Sequence, residues 1–216
     1  MRRALPRLHA ITDERIARRA DLAEIVAALT DVPLAAHARG HLLTGREHYE
    51  LAVRLSATAR KSLRARPRSS GSPLGPVRLF VNDRLDIALA AGAEGVQLSR
   101  SGLLPVDARR LAPDWWIGCS VHSPDEARAA RDWGADYLLV GPVYHTTTHP
   151  TASPLGLEAL GAIVRLGLPV IAIGGVTPER ARELAGAGAY GVAAIRAIWD
   201  AADPRGAARD LLEAVG

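Results

Sequence analysis

Asp136-Tyr-Leu-Leu-Val-Gly-Pro-Val-Tyr-His-Thr-Thr-Thr-His149 and, one helix-length segment later, Pro169-Val-Ile-Ala-Ile-Gly-Gly-Val176 decide the fold. Each reads as a short, buried apolar strand that ends in glycine. Glycine at that end lets backbone N–H groups come close to a ligand. Two such strands joined through a helical segment suggest a parallel barrel with a phosphate-binding rim.

The same alternation extends in both directions. Strands are predicted to begin near Arg7, Val32, Val77, Glu94, Trp115, Asp136, Pro169 and Tyr190, which makes eight. Helical periods fall between them, over Asp21–Leu29, Glu47–Leu63, Ser123–Trp133, Thr177–Gly186 and Pro204–Ala214. Ser123-Pro-Asp-Glu126 carries a capping serine, a proline in the first turn and a glutamate at the capping-box position. Thr177-Pro-Glu repeats the device, and Ala-Gly-Ala endings near Ala93 and Ala189 stop helices. Eight strand–helix units predict a single (β/α)₈ TIM-barrel domain of α/β class over residues 1–216. An open doubly wound sheet lacks its Gly-x-Gly-x-x-Gly signature after the first strand. Residues 64–76, rich in Arg, Pro, Ser and Gly, read as a surface loop.

Composition excludes several classes. Hydrophobic residues make up 48% and charged residues 23%, a globular balance. The net charge is +4, but 26 of the 27 basic residues are arginines scattered along presumed helices. With aromatics at 4%, no basic stripe interleaved with rings marks nucleic acid. Cys119 is the sole cysteine, so neither an internal disulfide nor a cysteine metal site is expected. It reads as a small buried hydrophobe. The amino terminus lacks a secretory h-region, and no apolar run reaches membrane-span length, so a cytoplasmic protein is expected.

In such barrels chemistry sits where strands end. Gly174-Gly175 opens a helix at the seventh strand, and Ala194-Ile195-Arg196 closes the eighth. Together they form a candidate phosphate site, with Gly141, Thr146 and Thr148 contributing from the sixth loop. Arg196 either adds a charge-assisted contact or is solvated. His122, after the fifth strand, is the candidate acid/base; alternatively it starts a helix and bonds a loop. His37, Arg39, Asn82, Asp83, Gln97 and His149 are further candidates for the mouth. Asp83 could hold Mg²⁺, but a lone carboxylate makes a poor site, and a cap on a helix over 84–91 is the preferred reading. His145 and His149 are assigned to substrate contact or solvent, and His9, His41 and His48 to no site.

Leu8-His-Ala-Ile-Thr-Asp13, Val81-Asn-Asp-Arg-Leu-Asp86, Gly95-Val-Gln-Leu98, Ile117-Gly-Cys-Ser-Val-His-Ser123 and the two opening stretches resemble the thiamin phosphate synthase/TenI superfamily, in order and over nearly the whole chain. The resemblance implies a (β/α)₈ barrel, thiazole-phosphate chemistry and a dimer. One branch joins a pyrimidine pyrophosphate to a thiazole phosphate with Mg²⁺; the other aromatises a thiazole carboxylate phosphate without metal.

Several positions depart from the synthase pattern. Ala35-Ala-His-Ala-Arg39 stands where synthases carry Gln-Leu-Arg-Glu-Lys. Gly102 stands near the place of a metal-binding Asp, and Thr146-Thr-Thr-His149 replaces Thr-x-Thr-Lys. Loss of a catalytic cation and a metal carboxylate should slow departure of pyrophosphate. The expectation is therefore a metal-free thiazole tautomerase with His122 as acid/base. The alternative is a divergent Mg²⁺-dependent thiamin phosphate synthase, and a third reading is a non-catalytic phosphate-ligand binder. No cofactor is expected except Mg²⁺ under the alternative, and the expected partner is a small thiazole phosphate, not nucleic acid or membrane.

Overall fold

The computed structural model of the chain describes residues 4–64, 77–146 and 151–216. Eight strands, each followed by helix, alternate along them. The first half runs β1 (Leu8–Ile11), α1 (Glu14–Ala17), α2 (Leu22–Ala28), β2 (Leu34–Ala38), α3 (Gly45–Arg64), β3 (Arg78–Asn82), α4 (Leu85–Ala91), β4 (Gly95–Leu98) and α5 (Pro105–Leu111). The second runs β5 (Trp116–Val121), α6 (Pro124–Asp132), β6 (Tyr137–Val140), α7 (Gly156–Val164), β7 (Val170–Ile173), α8 (Pro178–Gly186), β8 (Gly191–Ala194), α9 (Arg196–Trp199) and α10 (Pro204–Ala214). All strand pairs are parallel, and β8 pairs with β1 to close the barrel. The predicted single-domain TIM barrel is thus the observed fold. The predicted loop at 64–76 lies outside the described residues apart from Arg64, which ends α3.

Local chemistry explains the helix ends. Ser123 caps α6 by accepting the N–H of Glu126 at 3.2 Å, and Thr177 caps α8 by accepting the N–H of Arg180 at 3.3 Å. Each is followed by proline in the first turn, where a missing N–H costs nothing. Gly92 ends α4 in the left-handed region at φ 65°.

The strands are buried on both faces, and their period of two sorts the core into two layers. One phase (Leu8, Ala36, Val81, Val96, Leu138, Val192) packs against the helices. The other phase fills the barrel with Ile11, Ala35, Phe80, Tyr137, Leu139, Ile171 and Ala193. Trp199 is fully buried and its Nε1–H donates to the Ile11 carbonyl at 2.8 Å, tying α9 to β1. Trp133 by contrast is exposed. No helix among the described residues is long and apolar enough to cross a membrane.

The inward phase has two sides. Toward β7 and β8 it is apolar, whereas β1–β6 point His9, His37, Asn82, Gln97, Ser120 and the Tyr137 hydroxyl inward. Parallel register sets their heights: Ile11 pairs with His37, Asn82 with Gln97, and Gln97 with Gly118. Polar groups therefore rise through the barrel toward its carboxyl-terminal mouth.

Candidate active site

A cavity of about 190 Å³ opens at that mouth. Its walls are Ile11, Arg39, Asn82, Ser120, His122 and Leu139 on one side. On the other are Gly141, Pro142, Thr146, Ile173 to Val176 and Ala193 to Ala197.

Backbone builds the second wall. Gly174 and Gly175 take φ of 104° and 64°, a region that side chains disfavour. A Cβ on Gly174 would lie 2.6 Å from Pro142 Cβ, and one on Gly175 would lie 2.5 Å from the His145 carbonyl oxygen. Gly141 is equally confined, since a Cβ there would meet the Ile173 carbonyl oxygen. The sixth loop bonds onto the seventh: Val143 N–H donates to Ile173 O at 2.8 Å and Tyr144 N–H to Gly174 O at 3.3 Å. Arg180 donates to the Gly175 carbonyl at 2.6 Å and stacks over the Tyr144 ring. The glycine pair leads into the capped first turn of α8, where N–H groups and the helix dipole favour an anion. Arg196 stands exposed on the rim and has no ion-pair partner among the described residues.

Side chains build the first wall. Half-buried Arg39 follows β2, and its neighbours Glu14, Asp13 and Asp83 favour the charge that burial opposes. The net effect of burial is a lowered pKa. Ser120 accepts from Gln97 Nε2 at 3.1 Å. His122 is exposed at the lip, and its backbone N–H donates to Glu126 Oε2 at 2.7 Å. The same oxygen lies 3.2 Å from His122 Nδ1, which favours the Nδ1–H tautomer and leaves Nε2 for a ligand. Glu126 therefore reaches one residue further back than a capping box would take it.

Of the candidates named from sequence, Arg39, Asn82, His122, Gly141, Thr146, Gly174, Gly175, Ala194, Ile195 and Arg196 converge on the cavity. Thr148 and His149 lie outside the described residues, and His145 is exposed. Three candidates are corrected. His37 and Gln97 are fully buried one layer below the mouth and reach the cavity only through Asn82 and Ser120. Asp83 does not cap α4, whose N-cap is Arg84 without a side-chain bond. Instead Asp83 adopts φ 58° and accepts the Ser99 N–H at 2.7 Å, clamping the loop after β4.

Sequence reasoning missed His9, which is buried against His37 with Nδ1 2.8 Å from His37 Nε2. The signal was its phase: in Leu8–Ile11 it points inward, as Ile11 does. His48 bonds the Ala38 carbonyl at 2.8 Å and fastens α3 to β2. Cys119 is buried, and desolvation pushes its thiol up to about 12, so it is inert.

The acidic groups do not make a magnesium cage. Among the described residues no three His, Cys, Asp or Glu side chains cluster. Asp83 stands outside the cavity wall with Oδ1 engaged. Its neighbour across the loop is Gly102, whose added Cβ would sit 2.8 Å from that oxygen. The resemblance implies a metal-binding Asp near this place, and glycine supplies no carboxylate.

A model of the family described as "Thiamine monophosphate synthase" matches residues 8–198. The thiamine-phosphate synthase of Chloroflexus aurantiacus is 38% identical over 209 residues, covering 95% of this chain and 90% of that protein. A thiamine biosynthesis bifunctional protein ThiM/ThiE of Symbiobacterium thermophilum is 49% identical over 140 residues, or 63% of this chain; the match spans only 29% of that longer protein. Among solved structures, a thiamine phosphate pyrophosphorylase from Pyrococcus furiosus superposes with a TM-score of 0.77 at 34% identity, covering 97% of this chain and 95% of that one. These findings overturn the tautomerase expectation: the similar proteins are named thiamine-phosphate synthase or pyrophosphorylase, and at these identities over most of the chain the lost cation and carboxylate do not outweigh them.

Proposed function

The chain belongs to the thiamine monophosphate synthase family, and from that premise we propose that it is a thiamine-phosphate synthase, a transferase that joins a pyrimidine pyrophosphate to a thiazole phosphate. The observation that carries this reading is the two-sided cavity. One wall offers backbone N–H groups and glycines suited to a phosphate; the other offers a cation, Arg39, with Ser120 and His122 beside it, suited to a second anion.

The roles follow from placement. The thiazole phosphate sits on Gly174, Gly175 and the Ala194–Arg196 turn, with Thr146 beside it. The pyrophosphate lies toward Arg39, Ser120 and His122. As the new bond forms between the two fragments, the bond to pyrophosphate breaks and its electron pair leaves with that group. The leaving charge needs stabilisation already in place, and Arg39 is the cation on that wall. Its guanidinium lies 2.5 Å from His41 Nε2, and the nearby Glu14, Asp13 and Asp83 favour the charge that burial opposes. His122 Nε2 faces the same space and positions the leaving group.

The resemblance implies Mg²⁺. The acidic residues present do not fit a protein-built site for it, and the steps above use only the chain's own groups. Formation of thiamine phosphate from the two phosphorylated halves, followed with and without Mg²⁺, tests the reading.

A further inference from the structure

His9, His37 and Asn82 form a continuous buried file from the floor of the barrel to the cavity. His9 Nε2 lies 3.1 Å from the Pro6 carbonyl oxygen, His9 Nδ1 lies 2.8 Å from His37 Nε2, and His37 Nδ1 lies 3.3 Å from the Asn82 side-chain amide. Both imidazoles have no exposed surface, and Phe80 stacks on His37 at 5.1 Å between ring centroids. Among the described residues neither ring has a carboxylate partner.

The proton positions follow from the donor and acceptor inventory. Burial holds His37 at about 4 and His9 well below its ordinary value, so each ring is neutral near pH 7 and carries one N–H. A carbonyl oxygen only accepts, so the His9 proton is on Nε2, facing Pro6. His9 Nδ1 is then a lone pair, and His37 must donate to it from Nε2. That leaves a lone pair on His37 Nδ1, which needs a donor. Asparagine's oxygen and nitrogen have the same shape, and the hydrogen-bond network assigns them. The Asn82 amide atom placed as Oδ1 beside His37 is therefore the NH₂ nitrogen.

We propose that His9 and His37 are positioning residues that hold the Asn82 amide with its NH₂ toward the barrel interior and its carbonyl oxygen toward the cavity, so that this wall accepts a hydrogen bond from the substrate. A substrate group that donates N–H or O–H is accepted there, and one that only accepts is rejected, because it would face a fixed lone pair. Placing an amino-bearing pyrimidine at this point rests on the synthase reading; the polarity of the file does not.

The test begins on the free wild-type protein, with ¹⁵N-labelled imidazoles, long-range ¹H–¹⁵N spectra at pH 7 and assignment through His9→Asn and His37→Asn. Both rings are expected as neutral Nε2–H tautomers. An Nδ1–H or cationic His37 overturns the proposal. His9→Asn retains an acceptor opposite His37 Nε2, whereas His9→Leu removes it. His9→Leu is expected to raise KM for the pyrimidine substrate about tenfold, with kcat changed less than about twofold, one hydrogen bond's worth; His9→Asn restores KM. An unchanged KM in His9→Leu overturns the functional part. Absence of any coupling activity would defeat the synthase reading and leave the tautomer result standing.

Discussion

Asp83 and Ser99 are joined across β3 and β4: the Ser99 N–H donates to Asp83 Oδ1 at 2.7 Å, and Asp83 sits at φ 58° to make the contact. That backbone region suits Asp, Asn and Gly and strains other residues. Asp83→Asn, which keeps an acceptor and tolerates the conformation, is expected to unfold in urea near the wild-type midpoint. Asp83→Ala loses both and is expected to cost about 1–3 kcal/mol. Equal stability of the two variants would show that the clamp contributes nothing.

Gly175 should tolerate no side chain. Gly175→Ala forces a Cβ to 2.5 Å from the His145 carbonyl oxygen at φ 64°. The backbone there must shift, at a cost of about 1–3 kcal/mol, and the anion wall shifts with it. Calorimetric titration with thiazole phosphate is expected to show at least a tenfold loss of affinity. Wild-type affinity in a folded Gly175→Ala variant would place the phosphate elsewhere.

Arg39 is expected to matter more to kcat than to binding, because leaving-group charge develops only in the transition state. Arg39→Ala should lower kcat by about 10²–10³-fold, the usual effect of removing one preorganised charge stabiliser. Arg39→Lys should recover part of it, since the charge returns without the planar fork. A kcat within threefold of wild type in Arg39→Ala would remove Arg39 from the mechanism.

Stability should fall on mild acidification. Burial lowers His37 to about 4 and His9 in the same direction, against an ordinary value of 6.5. Between those values the unfolded chain binds protons that the folded chain refuses, so the stabilisation is complete above about 6.5 and is lost as pH falls toward 4. His37 alone accounts for about 3 kcal/mol. Asp86, held near 2 by Arg84, acts only at lower pH. Urea midpoints at pH 7 and pH 4.5 should differ strongly in wild type and less in His37→Asn. A flat profile across that window would mean that the pair titrates normally.

Much of the barrel was legible because its signals are local. The Ser123 and Thr177 caps, the Gly92 stop and the eight apolar runs all depend on near neighbours. The glycine wall of the cavity was legible for the same reason, as the glycines end strands. Depth was harder to read. His37 and Gln97 each precede the strand end by one residue, and that offset places them beneath the mouth instead of in it. Asn82-Asp83 before a helix has the form of a cap, but the left-handed backbone at Asp83 turns its carboxylate to Ser99, which no sequence spacing reveals. His9 meets His37 across 28 residues, a contact set by register alone.

The most direct test mixes purified protein with the pyrimidine pyrophosphate and the thiazole phosphate, with Mg²⁺ varied from none to millimolar, and follows thiamine phosphate and pyrophosphate release together. The account predicts that both products form in equal amounts and that Arg39→Ala and Gly175→Ala suppress both. Absence of thiamine phosphate at saturating substrates and every Mg²⁺ concentration would contradict it.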